Sequence, residues 1–476
     1  MLRKFIFALS VSTAICLPVV SQAATLSDSI TQALSSHPQI KAGEASRAQA
    51  DNNIREQRSA FFPTIGIDGE AGHQTNNDID TRSLTSDAGT ADSWYGRGTA
   101  TLTQPLFSGF GTVDRVLGAR DRYRAAAYDL EGTSEDIALR AARAHLNLMR
   151  TKELRALASQ FLSDIDSRQK NIALMFKEGA ADEAELLQAN EIQAAAKNTR
   201  LGYEESFRQA EADYIEVAGG APDASLELGE ATWNALIAPT LEDAVANAVS
   251  ESPRIRAAEK ISAALTNETK AEKSALAPRV DAALSYMKQD QLDVVGGEAS
   301  SARAMLKLGW NFSTGGGQLA RIEKSRQQQA EALAKRQGVM RSVEYGVRQK
   351  YTSMEIADQQ FALLTDRETA SKKILENFLA QFEGGKQTNL QLIAANSRLF
   401  ESQAARTDAY YRRVLTRLEL LNAMGRLRDA FEPPKVSASA KAPEPAKVAA
   451  PVKAPAPPKA PAPAKAPEPD KAVENQ

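Results

Sequence analysis

The sequence predicts an α+β membrane protein built from a duplicated helix–strand–strand–helix–helix unit. Three observations carry that prediction. Blocks of sequence recur at a fixed offset, very long stretches lack proline, and between them lie short runs that alternate polar and apolar residues.

The recurrence begins with "TLSDSITQALSSHPQI" at 25–40 and "TLEDAVANAVSESPRI" at 240–255, which share Thr25/Thr240, Leu26/Leu241, Asp28/Asp243, Ala33/Ala248, Ser35/Ser250, Pro38/Pro253 and Ile40/Ile255. Pro63 and Pro278 keep the same 215-residue offset. Further on the offset becomes 206: "LTQPLFSGFGTVDRV" (102–116) matches "LGWNFSTGGGQLARI" (308–322), and "FKEGAADEAELLQAN" (176–190) matches "FEGGKQTNLQLIAAN" (382–396). The expected organisation is a signal segment at 1–23, a first repeat at 24–220, a linker at 221–239, a second repeat at 240–426 and a tail at 427–476.

Met1–Ala23 reads as a secretory signal peptide, with basic Arg3 and Lys4, an apolar run and the small-residue close Ser21-Gln22-Ala23. A membrane anchor is the competing reading, but the apolar run is short. Cys16, the only cysteine, lies inside it and follows Ile15, which is too large for a lipoprotein signal. Charge is near balance, 58 basic against 60 acidic side chains, which argues against a nucleic-acid partner. With 25% charged and 6% aromatic residues, a conventional large core is not expected.

Each repeat opens with a helix, with Asp28 or Asp243 in its first turn, that should run to Pro63 or Pro278. Period-2 runs come next. Ile65, Ile67, Gly69 and Ala71 oppose Thr64, Gly66, Asp68 and Glu70; Val280, Ala282, Leu284 and Tyr286 oppose Asp281, Ala283 and Ser285. A second run in each repeat alternates from Trp94 to Thr103 and from Ala302 to Phe312. A soluble sandwich would show such strands too. About ten residues per run, aromatics near the ends and one wet face instead fit transmembrane barrel strands, which need roughly 9–11 residues each. Four strands cannot close a barrel, so more than one chain must contribute. Pro63, Pro105, Gly109, Pro278 and Gly315 mark the strand–helix junctions.

Stretches 106–221 and 279–432 contain no proline, and a helix from Val113 to Lys177 would reach about 98 Å at 1.5 Å per residue. It turns at Gly179 and returns through Asp182–Ala218; the second copy runs from Leu319, turns at Gly384-Gly385 and returns through Thr388–Met424. No catalytic constellation is visible, so no enzyme activity and no cofactor are expected. The glycines at 315–317 lack the Lys-Ser/Thr of a phosphate loop, and His37, His73 and His145 are too scattered for a metal site.

With signal, duplicated unit, "QPLFSGFG" at the strand-to-helix junction and "F-x-x-G-x-x-x-x-x-x-L" at the helical turn, residues 25–426 resemble the TolC family of outer-membrane efflux and secretion channels. That resemblance implies a homotrimer: a 12-strand β-barrel among the lipids of the outer membrane, continuous with a long periplasmic α-helical barrel. It implies docking on a periplasmic adaptor (a membrane fusion protein) and an inner-membrane ABC or proton-driven transporter, for type I protein secretion or efflux. The turns Gly179-Ala180-Ala181-Asp182 and Gly385-Lys386-Gln387-Thr388 match the adaptor-docking tips. The family's closed tip is held by a tyrosine, an arginine and aspartates; the matching positions here are Phe382, Gln387, Gln391 and Ala394, with Glu185 as the retained first-repeat acid. The substitutions imply closure by apolar packing and amide hydrogen bonds. A soluble periplasmic coiled-coil adaptor or scaffold is the alternative reading.

The tail carries 12 of the 20 prolines and has Lys435, Lys441, Lys447, Lys453, Lys459, Lys465 and Lys471 at six-residue spacing. In a polyproline II helix, with three residues per turn, all seven fall on one face. A solvated tail and a basic strip touching peptidoglycan are both compatible with it.

Overall fold

The computed structural model describes residues 24–77, 79, 91–223, 225–229, 232–291, 297–312 and 314–431. The signal segment and the lysine-bearing tail lie outside the described residues.

Each repeat begins with two helices where one is expected. Helix α1 (Leu26–Ser36) is closed at its start by a capping box between Thr25 and Asp28, and α2 (Pro38–Ser59) starts afresh with Pro38 in its first turn. In the second repeat, α5 (Leu241–Glu251) and α6 (Pro253–Lys273) break at the same place, before Pro253. Proline cannot donate to the preceding turn, yet its fixed φ suits the first helical position, so the repeated proline starts a helix here.

Long helices dominate the remainder of each repeat. Helix α3 (Gly111–Lys177) and α7 (Gly317–Glu383) have 67 residues each, about 100 Å at 1.5 Å per residue. Their return partners α4 (Glu183–Ala218) and α8 (Asn389–Met424) have 36 residues each. Both return helices end on a left-handed glycine, Gly219 at φ 77° and Gly425 at φ 75°. There they meet the break between the two helices of the same repeat's first half. Ser36 Oγ donates to the Ala218 carbonyl at 3.2 Å, and a Cβ on Gly425 would sit 2.6 Å from Pro253 Cδ. Thus α4 is continued by α2, and α8 by α6, as stacked columns beside α3 and α7.

The sheet has four antiparallel strands, β2 (Thr64–Asn76), β3 (Ala91–Phe107), β5 (Arg279–Gln291) and β6 (Gly297–Gly309), in that order. A short parallel pair joins β1 (Ala24–Thr25) to β4 (Leu226–Glu227) in the linker. The sheet strands have 13 or 17 residues, longer than the ten expected. Only the last run is trimmed: β6 ends at Gly309, and Trp310 beyond it donates its indole N–H to the Leu276 carbonyl at 3.1 Å.

Where the helical columns meet, an apolar cluster of Leu26, Ile30, Ile137, Leu148, Leu418 and Leu421 holds α1, α3 and α8 together. A buried polar chain runs through it. Ser29 Oγ lies 2.8 Å from His145 Nδ1 and 2.9 Å from the Tyr214 hydroxyl, and His145 Nε2 lies 3.2 Å from the Glu227 carbonyl. The carbonyl can only accept, so Nε2 carries the proton, Nδ1 accepts from Ser29, and Ser29 accepts from Tyr214. Nearby, buried Glu135 accepts from the backbone N–H groups of Leu427 and Arg428 at 2.9 and 3.1 Å, fastening the chain after α8.

Burial pushes the Glu135 carboxyl up to about 7 and the His145 imidazole down to about 4. These shifts act in opposite senses. His145 binds a proton more readily in the unfolded chain, so stability falls as pH drops through 6.5 toward 4. Glu135 binds one more readily in the folded chain, so stability rises as pH drops through 7 toward 4.5. Each effect is on the order of 3 kcal/mol, and they largely cancel in the wild type. Glu135→Gln is therefore expected to lose melting temperature more steeply than wild type between about pH 7 and about pH 5. Parallel profiles for the two proteins would refute this opposition.

Candidate functional site

The sheet is the first functional surface. Its register aligns side chains of one kind across all four strands: Ile65, Leu102, Leu284 and Ala304 form one row, and Ile67, Ala100, Tyr286 and Ala302 the next. On the opposite face the rows are polar, as in Gly66, Thr101, Ser285 and Arg303. Glu70 there is ion-paired with Arg97 and accepts from the Tyr95 hydroxyl at 3.0 Å. Among the described residues nothing covers the apolar face: Ile65, Ile67, Leu284, Leu306 and Leu308 are 71, 83, 54, 74 and 73% exposed. Trp94 and the Trp310–Phe312 pair, 4.8 Å apart, stand toward opposite ends of it. An apolar band bounded by aromatics suits a hydrocarbon layer with an interface at each side. No helix among the described residues is long and apolar enough to cross a membrane.

The junctions tie this sheet to the helices. Pro63 and Pro278 stand directly before β2 and β5. Pro105 lies inside β3, at a register shift opposite Asp281 and beyond Thr103, the last β3 residue paired with β2. With one side of the strand already free, its missing N–H leaves no ladder bond broken. Gly109 has φ 61°, and a Cβ on it would come within 2.6 Å of Ala277 Cβ. The second junction differs. A Cβ on Gly315 would meet nothing within 4 Å, and the left-handed position is Gly316 at φ 70°. Its counterpart in the first repeat is Phe110, the one described non-glycine residue with positive φ, at 65°. Phe110 packs edge-on against Phe107 at 5.6 Å, a contact the sequence pattern did not reveal.

At the other end, both helical turns have one architecture. In the first, the N–H of Ala180 bonds the Met175 carbonyl at 2.8 Å around left-handed Gly179; in the second, Lys386 N–H bonds the Gln381 carbonyl at 2.9 Å around Gly385. The bond pattern is a Schellman closure. The following helices are then capped, by Asp182 accepting from Glu185 N–H at 2.7 Å and by Thr388 accepting from Gln391 N–H at 3.3 Å. Ala181 and Gln387 complete the turns, and Gln387 donates to Gln381 Oε1 at 2.8 Å.

Within one chain the tip residues do not converge on a single cluster. The Gln391 amide oxygen accepts from Thr388 N–H at 2.8 Å, closing a capping box in its own helix. Ala394 is exposed, whereas Glu185 and Phe382 are half-buried. Beside them stands a residue that sequence reasoning passed over. Asn389, almost fully buried, donates to Met175 Sδ at 3.4 Å and so links the second tip to the first. Behind it Ile393 and Leu392 are fully buried, and Phe161 stacks on Phe400 at 4.6 Å. Asn389 aligns with Glu183 in the first repeat, so the duplication gave no hint of it.

Comparison with known proteins agrees with this geometry. A family model described as outer membrane efflux protein matches residues 29–220 and 244–426. The outer membrane efflux protein BepC of Brucella suis biovar 1 (strain 1330) is 24% identical over 411 residues, covering 85% of this chain and 86% of BepC. A membrane protein from Pseudomonas aeruginosa shares the fold with a TM-score of 0.73 at 17% identity, over 87% of this chain and 99% of that one. The Vibrio cholerae outer membrane protein VceC does so with a TM-score of 0.70 at 17% identity, over 84% and 96% of the two chains. The two matched segments take in both sheet hairpins, both long helices and both tips; the chain belongs to the outer membrane efflux protein family.

Proposed function

We propose that three copies of this chain close a 12-strand barrel in the outer membrane, continued into the periplasm as a tube of helices. The assembly is the exit duct of a tripartite export system. The observation that carries this reading is the sheet: four all-antiparallel strands, uncovered apolar side chains on one face, and two free edges at β2 and β6. In hydrocarbon a free edge leaves every second N–H and C=O unsatisfied, so β6 of one copy must pair with β2 of the next. Because the strand order alternates in direction, that pairing is antiparallel and repeats around a closed ring. Three copies give 12 strands, within the range of such barrels. A soluble periplasmic adaptor or scaffold would leave this apolar sheet face in water.

In this reading the tips at Gly179–Asp182 and Gly385–Thr388 dock on a periplasmic adaptor, and an ABC or proton-driven transporter in the inner membrane supplies the cargo. BepC is named an efflux protein, which favours efflux over type I secretion for this chain too. Without the tyrosine, arginine and aspartates of the resembling family, the tip closes through the apolar layer behind Asn389 and through the capping bonds of Thr388 and Gln391.

Extraction of native membranes in mild detergent, with gel migration before and after boiling and negative-stain imaging, tests the assembly. A heat-dissociable species of three chains, seen as a long tube with a short wide cap, is expected; a detergent-free soluble monomer or dimer would overturn the duct. For the tip, Gln391→Ala removes one side of the capping box, a loss of about 1 kcal/mol to that helix start. Higher conductance of the purified protein in a planar bilayer is expected, and a pore as closed as wild type would remove the capping bonds from the closure.

A further inference from the structure

Directly below the sheet, four helices form a curved layer in the order α2, α3, α6, α7, each packed on the next. Gln57 of α2 and Arg321 of α7 line one cavity of about 470 Å³ although α3 and α6 stand between them. The layer is therefore concave on this side. Helix α3 presents Arg115 and Arg122 to the cavity, α6 presents Glu268 and Glu272, and α7 adds Lys324 beside Arg321. The opposite side of α3 carries Val113 and Leu117, 42 and 38% exposed. Closing such layers into a tube puts the concave side on the lumen.

The charges in this cavity do not balance. Arg122 is bonded to Glu268 at 2.6 Å, and Arg115 reaches only the Thr112 hydroxyl at 3.3 Å. Among the described residues, Arg321 and Lys324 have no acceptor. Three cations thus face one remaining acid, Glu272. Cations held together without partners repel one another, and an anion bridging them removes that cost. Guanidinium groups match phosphate and carboxylate oxygens with two parallel N–H bonds. The duplication adds weight. Arg115 and Arg321 hold the same place in the two repeats, 206 residues apart, one turn into the long helix after each hairpin. In a closed trimer they alternate as a basic girdle below the barrel.

We infer that this lumen groove binds the phosphate or carboxylate groups of anionic solutes in transit, so that the duct favours anionic cargo. The inference rests on the duct reading and names a cargo class for it. Its test separates the two. Inorganic tripolyphosphate is titrated calorimetrically into the full chain in detergent, for wild type and for the double variant Arg321→Gln/Lys324→Gln. Both side chains are exposed and make no contact on which the fold depends, so the variant is expected to fold. Binding that weakens with added salt in the wild type, and is about tenfold weaker in the variant, supports the groove. No binding at low salt, or equal binding by both proteins, overturns it. The same preparations in a planar bilayer report reversal potential under a KCl gradient, and the variant is expected to shift toward cation preference. A conducting channel whose selectivity and tripolyphosphate binding ignore the substitutions overturns the anion inference alone. A chain that binds tripolyphosphate yet runs as a detergent-free soluble monomer or dimer overturns the duct, and with it the assignment of the groove to cargo.

Discussion

A helix of 67 residues needs a partner of equal length to bury its stripe, and neither repeat provides one in a single piece. The return helices have 36 residues and the first-half helices α2 and α6 have 22 and 21. Stacking them end to end supplies the missing length, and the joint between them sets the rest of the architecture. At each joint a left-handed glycine stops one helix and a proline at the first helical position starts the other. Any Cβ on Gly425 would drive into Pro253, so the close approach that stacks the two helices also demands glycine. The two short helices α1 and α5, displaced sideways by the same break, are free to cover the joint and thicken the middle of the molecule.

That middle is where the repeats have diverged, because two copies of one unit meet different neighbours. Ser29, His145 and Tyr214 correspond by offset to Ala244, Tyr351 and Leu420. The first set is a hydrogen-bonded chain ending on the Glu227 carbonyl; the second is an apolar cluster in which the Tyr351 hydroxyl bonds the Pro239 carbonyl at 2.9 Å. Both fasten a long helix to a connecting segment, by different chemistry. Ion pairs then cross between repeats along the helices. Arg143 and Lys350 share Glu419, and Arg150 bonds Asp408 at 2.8 Å. A half-exposed pair is worth little by itself, and their repetition fixes which residues of neighbouring helices stand side by side.

Much of this was legible because it is written in local pattern. Alternation of period 2 located the four strands, proline-free length located α3 and α7, and glycines located both tips. The illegible features depended on long-range contact. The single opening helix expected to run to Pro63 is broken at Pro38, since a proline marks a start or a stop only according to what packs there. Gly315 looked like the junction residue because it aligns with Gly109, yet the strained position aligns with Phe110, which no glycine pattern could reveal. Gln391 looked free to reach across the tip, whereas its amide is held by the backbone of Thr388, three residues away. Asn389, and the convergence of Arg115 with Arg321, exist only once helices distant in sequence are side by side.

The division of labour between faces arises from the same stacking. Each strand continues into a helix, so the side chains that point outward and inward on the sheet hand over to two sides of one curved helical layer. On the sheet, the side that the proposed barrel turns outward is apolar, and the side it turns inward carries Arg97, Arg303 and the other polar rows. Below it, the convex side begins with Val113 and Leu117, and the concave side with Arg115 and Arg122. An apolar outer skin that fades into a polar one within a few turns marks where lipid ends and water begins. In the proposed duct, charged side chains on the inner side both at the sheet and in the groove below it line a wet path that does not end with the membrane. One chain supplies only an arc of both skins, with open edges at β2 and β6. The chemistry of the arc is complete, and in the proposed trimer copies of the same chain close it.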